Sequence, residues 1–138
     1  MTTIAWDGRT LAWDSQITQG ECKSLGEKGR RIKTPAGPAT VVLCGEVSYL
    51  DAVCEALSKG KKIPKAAAKG CGLVILREGK LFGVNGRDEF PIVGHSCQGS
   101  GAMAAMAGLA QGMTAKQAVA LACKVDLYSS LPVNSARA

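Results

Sequence analysis

Met1-Thr2-Thr3-Ile4-Ala5-Trp6-Asp7-Gly8-Arg9-Thr10-Leu11-Ala12-Trp13-Asp14 opens the chain, and its reading decides the rest. Asp7-Gly8 is a strong short-range hairpin signal, because the glycine supplies the positive φ that a tight turn between twisted strands demands. Residues 2–6 and 11–14 therefore form the two arms of a β-hairpin, with the start of the chain at one end. A hydroxyl residue, Thr2, stands directly behind Met1. Once Met1 is removed, Thr2 carries both a nucleophile and a base. Its Oγ can attack, and its α-amine, with an ordinary pKa of roughly 7.7–8.0, can take the proton near neutral pH. That pair needs no histidine, and the sequence has one.

Beyond the hairpin, residues 15–20 continue extended and residues 26–29 are polar and loose. Residues 30–34 read as a short strand. Pro35-Ala36-Gly37-Pro38 is a turn, and residues 39–44 are an apolar, β-branched run that reads as a buried strand. Tyr49, Val53, Ala56 and Leu57 share one face of a helix over residues 47–59, which Gly60 closes. Residues 72–77 and 80–84 are paired strands around Glu78-Gly79, and residues 90–94 add another. Between residues 60 and 70, Ala66-Ala67-Ala68 supports at most a turn or two of helix. Residues 100–111 form a helix rich in Ala, Gly and Met, stopped by Gly112. Thr114-Ala115-Lys116-Gln117 has capping-box spacing, so a last helix starts at Thr114 and runs to about Leu127, before Pro132. Hairpins outnumber β-α alternations, which predicts layers of antiparallel sheet with helices outside.

The 138 residues suit one domain, 1–138. With 46% hydrophobic but 4% aromatic residues, the core must come from Val, Ile, Leu and many small side chains. Apolar runs break well before eighteen residues, and no basic region followed by an apolar run opens the chain. These features predict a protein of the cytoplasm that neither spans a membrane nor carries a secretory signal. Six cysteines, at 22, 44, 54, 71, 97 and 123, fit no zinc spacing and read as small buried residues. No His or carboxylate cluster predicts a metal, and no cofactor is implied. The net charge of +6 gathers partly between Lys59 and Lys69, without interleaved aromatics or a nucleic-acid motif, so a solvated connector is the expectation there. Gly94-His95-Ser96-Cys97-Gln98-Gly99 misses the nucleophile-elbow spacing at Gln98, though His95 and Cys97 would share a strand face.

Four fragments in order resemble one family. Thr2-Thr3-Ile4-Ala5 with Leu11-Ala12-Trp13-Asp14-Ser15, Cys44-Gly45-Glu46 before a helix, Gly99-Ser100-Gly101 before a small-residue helix, and Asp126-Leu127-Tyr128-Ser129 are similar to segments of proteasome β-type subunits, including bacterial HslV and short bacterial or phage-encoded relatives. The resemblance implies the N-terminal nucleophile hydrolase fold, an α+β four-layer α-β-β-α sandwich, with one helical layer thinned by the short stretch from 60 to 70. It implies a threonine-type peptidase acting on peptide or unfolded-protein substrates, assembled as a homo-oligomer, in a bacterial cytoplasm. It leaves open an ATPase partner, and equally a homologue that keeps the fold as a structural or assembly protein without activity.

The resemblance also implies roles. Thr2 is the nucleophile, Asp14 holds a nearby cation, Gly45 offers its N–H to an oxyanion, and Ser100, Asp126 and Ser129 surround the Thr2 amine. The family's lysine, by spacing and the following Ile32, falls on Arg31, with Lys28 or Lys33 filling the place if the register shifts. Arginine stays charged and cannot lend a proton as lysine can.

Overall fold

A computed structural model describes residues 1–138. The opening hairpin is β1 (Ile4–Trp6) and β2 (Thr10–Trp13), in the register Ile4↔Trp13, Ala5↔Ala12 and Trp6↔Leu11. Its other strands come from far along the chain. β10 (Ser96–Gln98) pairs with β1, and β11 (Asn134–Arg137) pairs with β2, giving the order β10-β1-β2-β11. A second sheet of five is a meander of β5 (Gly29–Thr34), β6 (Gly37–Gly45), β7 (Cys71–Arg77), β8 (Lys80–Asn85) and β9 (Asp88–Ile92). The third is a two-stranded ribbon, β3 (Gln16–Gln19) with β4 (Cys22–Leu25).

Strand alternation sorts the core. Ile4, Trp6, Leu11 and Trp13 point one way and meet Val42, Val74, Leu76 and Leu81 of the five-stranded sheet. Ala5 and Ala12 point the other way and meet Leu109, Val119 and a set of alanines on α3 (Ala102–Ala110) and α4 (Ala115–Val125). The small residues let those helices lie close on the hairpin, as the composition predicted. On the five-stranded sheet, Val41, Leu43, Leu73 and Ile75 pack with Leu50, Val53 and Cys54 of α1 (Leu50–Ser58), which follows a 3₁₀ turn at Val47–Tyr49.

The expected α+β four-layer α-β-β-α sandwich is overturned. Eleven strands in three antiparallel sheets dominate, and about 28% of the chain is helical, so the protein is mostly β. The reason lies in short segments that have no periodicity of their own. Residues 22–25, 96–98 and 134–137 all became strands, while residues 60–70 gave only the six-residue α2 (Lys65–Gly70). α1 rests chiefly on β5 and α2 on β7.

The hairpin turn is tied to the last helix. Asp7 Oδ1 accepts the N–H groups of Arg9 (2.9 Å) and Thr10 (2.8 Å), and its Oδ2 accepts the N–H of Ala115 (2.8 Å) at the start of α4. Thr114 and Gln117 complete the expected capping box on the same helix. Burial pushes the Asp7 carboxyl up, but the three N–H donors outweigh it and hold the group below its ordinary value of 3.8. A depressed folded-state pKa means stabilisation that is present above the unfolded value and lost as pH falls through the folded one. Asp7→Ala should therefore cost about 1–2 kcal/mol at neutral pH. The gap to the parent should narrow below about pH 4. Urea midpoints for both proteins across that range check the sign.

Candidate active site

The hairpin places Thr2 and Thr3, just ahead of β1, next to Asp14, just after β2, and all three are fully buried. Asp14 is saturated with donors. Its Oδ1 accepts the Thr3 N–H (3.0 Å) and the Lys28 ammonium (2.9 Å), and its Oδ2 accepts the N–H groups of Gln16 (3.0 Å) and Ser130 (3.0 Å). An ionised carboxylate can sit this deep only because every lone pair is met and a counter-charge is present.

That counter-charge is Lys28, 1% exposed. Its Nζ donates to Asp14 Oδ1, to Thr2 Oγ1 (3.1 Å) and to the Met1 carbonyl oxygen (3.1 Å), which uses all three protons. The expectation of Arg31 in this role is corrected. Arg31 is exposed, pairs with Thr40 across β5–β6, and lines a separate hollow with Glu78, Arg137 and Ala138. It stands three residues past Lys28, about 10 Å further along extended chain. Lys33 is also exposed on β5. Gly29 marks where the strand enters, since a Cβ there would come within 2.7 Å of the Trp13 ring.

Ser100, Asp126 and Ser129 do come together. Ser129 Oγ donates to Asp126 Oδ2 (2.5 Å), and Ser100 Oγ donates to the same oxygen (2.7 Å). With the Ser129 proton committed, Thr3 Oγ1 is the donor in its 2.7 Å bond to Ser129 Oγ. Ser100 Oγ also lies 3.4 Å from the Thr2 carbonyl oxygen, which the Gly101 N–H reaches at 3.3 Å. Gly45 reaches the site as well. It lines a cavity of about 430 Å³ together with Met1, Lys28 and Glu46. Its φ of +112° and a carbonyl oxygen (Gly70) that a Cβ would meet at 2.8 Å reserve the place for glycine.

Several partners escaped the sequence reading. Gln16, 2% exposed, donates from Nε2 to Thr18 Oγ1 (2.9 Å) and to the Leu127 carbonyl (3.0 Å), and its Oε1 accepts the Ser130 hydroxyl. It thereby braces the loop carrying Ser129 against β3. Nothing in local periodicity marks it. A glutamine beside an acid in an extended run is ordinary, and the two partners on the Ser129 loop, Leu127 and Ser130, lie more than a hundred residues away. Gly99 and Gly101 take their roles from close packing. A Cβ on Gly99 would overlap the Thr2 carbonyl, and one on Gly101 would overlap Thr3 Oγ1.

The cysteines offer no rival nucleophile here. Burial pushes the thiols of Cys97 and Cys123 up to about 11, with the Asp14 charge adding to the effect at Cys123, so both are protonated at neutral pH. His95 is exposed.

The arrangement can stabilise negative charge on Thr2 Oγ1 with a cation that Asp14 holds in place. The amine of Thr2 is tied up in the Met1–Thr2 peptide bond, so its use as a base requires that bond to be cut.

The fold is similar to that of BPH from Thiobacillus denitrificans in complex with epoxomicin, with a TM-score of 0.75 and 19% identity over 99% of this chain and 97% of that one. A second structure of BPH from the same organism is similar to the same degree, with a TM-score of 0.75 and 19% identity over 99% of this chain and 96% of that one. No family model matches the sequence, and no curated protein matches it. At this identity the likeness is one of fold.

Proposed function

We propose that this chain is a threonine-type peptidase resembling proteasome β subunits, acting through Thr2 after the Met1–Thr2 bond is cut. The observation that carries the reading is the 3.1 Å contact between Thr2 Oγ1 and a fully buried lysine whose charge is balanced by Asp14 at 2.9 Å. A buried ammonium aimed at a hydroxyl favours the alkoxide as it forms.

In this reading the freed Thr2 amine takes the Oγ proton as Oγ attacks the substrate carbonyl carbon. Lys28 steadies the attacking oxygen, and the Gly45 N–H faces the oxyanion. Such a donor is typically worth about 10²–10³ in rate. The C–N bond then breaks, the protonated amine gives its proton to the leaving amine, and an acyl ester on Thr2 remains. Water, deprotonated by the same amine, hydrolyses the ester. In this reading the Ser100 and Ser129 hydroxyls, both held on Asp126, supply polar groups near that amine. The reading also carries cytoplasmic location and homo-oligomeric assembly. No helix is long and apolar enough to cross a membrane.

A second reading is an inactive homologue kept for structure or assembly, in which the Thr2 amine never serves as a base. Intact mass before and after epoxomicin, the compound BPH binds, separates the two. The peptidase should lose Met1, gain one epoxomicin per chain and cleave peptide amides, and Thr2→Ala should do neither of the last two. A processed chain that neither takes up the compound nor cleaves peptides would establish the inactive reading instead.

A further inference from the structure

Met1 stands on the carbonyl side of the Met1–Thr2 bond, and its carbonyl oxygen accepts a hydrogen bond from Lys28 at 3.1 Å. In the acyl-enzyme of the peptidase reading above, the substrate residue just before the scissile bond is bonded through its carbonyl carbon to Thr2, as Met1 is in the uncut chain. Met1 therefore marks where that residue lies, and the cavity of about 430 Å³ that Met1 lines is where its side chain goes.

The wall of that cavity carries two charged side chains, Lys28 and Glu46. Asp14 cancels the first at 2.9 Å. Glu46 is exposed, accepts only a long bond from the Ser48 N–H (3.4 Å), and joins none of the ion pairs that engage Glu27, Asp51, Glu55, Asp88 and Glu89. The rest of the wall suits a long side chain with a polar tip. Ile17 and Val47 can cover a methylene stem, while Thr18, Gln19 and Ser48 are neutral and polar.

We infer that the site selects peptides with a cationic side chain, lysine or arginine, immediately before the scissile bond, and that Glu46 is the selecting residue. A carboxylate here pairs with a cation and repels an acidic side chain. An apolar side chain would bring no charge to pair with Glu46. Because the pair forms at an open mouth, the preference should be moderate, about fivefold to tenfold in kcat/KM, and should shrink with added salt.

The test is a set of peptide amides identical except for Arg, Leu or Glu before the scissile bond, measured on the processed protein, Glu46→Gln and Glu46→Lys. The parent should prefer Arg. Glu46→Gln should level Arg with Leu, and Glu46→Lys should turn the preference toward Glu. Labelled parent protein with no preference for Arg, or variants that keep the parent's preference, would overturn the inference and leave the peptidase reading standing. Absence of labelling and of cleavage in the parent would overturn both.

Discussion

Lys28→Ala is expected to cost about 3–5 kcal/mol in stability and, independently, to reduce peptidase activity by about 10²-fold or more. The stability loss follows from burial. Asp14 is fully buried, and removing the ammonium leaves its charge with three N–H donors and no counter-ion. The activity loss follows from the 3.1 Å contact with Thr2 Oγ1. A double-mutant cycle separates the two effects. Lys28→Met with Asp14→Asn removes both charges and keeps most of the volume, so it should recover much of the stability that Lys28→Met alone loses. It should recover none of the activity, since nothing then faces Thr2 Oγ1 with positive charge. Urea midpoints read the first quantity and kcat/KM the second. If Lys28→Met lowered neither, the ion pair at 2.9 Å would have no role in holding the site. Arg31→Ala serves as the contrast, and it should leave both quantities nearly unchanged because Arg31 is exposed on the far part of β5.

Gly99→Ala is the second large effect, with an expected loss of more than about 3 kcal/mol or outright failure to fold. Two penalties coincide there. The backbone has φ of +97°, which a residue with Cβ adopts only under strain. The Cβ would also land on the Thr2 carbonyl oxygen and crowd the Thr2 backbone, and Thr2 is fully buried. Gly8→Ala isolates the first penalty, because Gly8 has φ of +94° and open space around it. It should cost about 1 kcal/mol. The difference between the two variants in thermal or urea unfolding therefore measures how tightly the segment before α3 is pressed onto Thr2. Equal losses at the two positions would show that the close approach carries no energy.

Both predictions rest on contacts between residues well apart in sequence, and that explains which parts of the molecule are legible in the sequence. The Asp7-Gly8 hairpin, the β7–β8 turn at Glu78-Gly79 and the Thr114–Gln117 capping box are local devices. Each is specified by residues within a few positions of one another, and each stands where the sequence puts it. β10 and β11 were not legible. Three or four residues of mixed polarity have no periodicity of their own and become strands only because β1 and β2 offer unpaired edges. Their recruitment, with the shortness of α2, turned the expected four-layer α+β sandwich into a mostly β protein. The site divides in the same way. Thr2, Asp14, Gly45, Ser100, Asp126 and Ser129 could be named from short fragments. The cation could not, because the resemblance put it on Arg31 with Lys28 or Lys33 as alternatives, and nothing local says which of them is buried.

The amino-acid sequence by itself determined a hairpin that sets a hydroxyl residue beside an acid, a set of small-residue helices to cover it, and the turns that punctuate the five-stranded meander. Tertiary structure alone decided that Lys28 rather than Arg31 supplies the positive charge, that Gln16 braces the loop bearing Ser129, and that Gly99 lies against Thr2. The physical reason is one of range. Turns and caps are settled by bonds between near neighbours, whereas a buried charge is settled by whichever opposite charge the packed sheets bring within hydrogen-bonding distance.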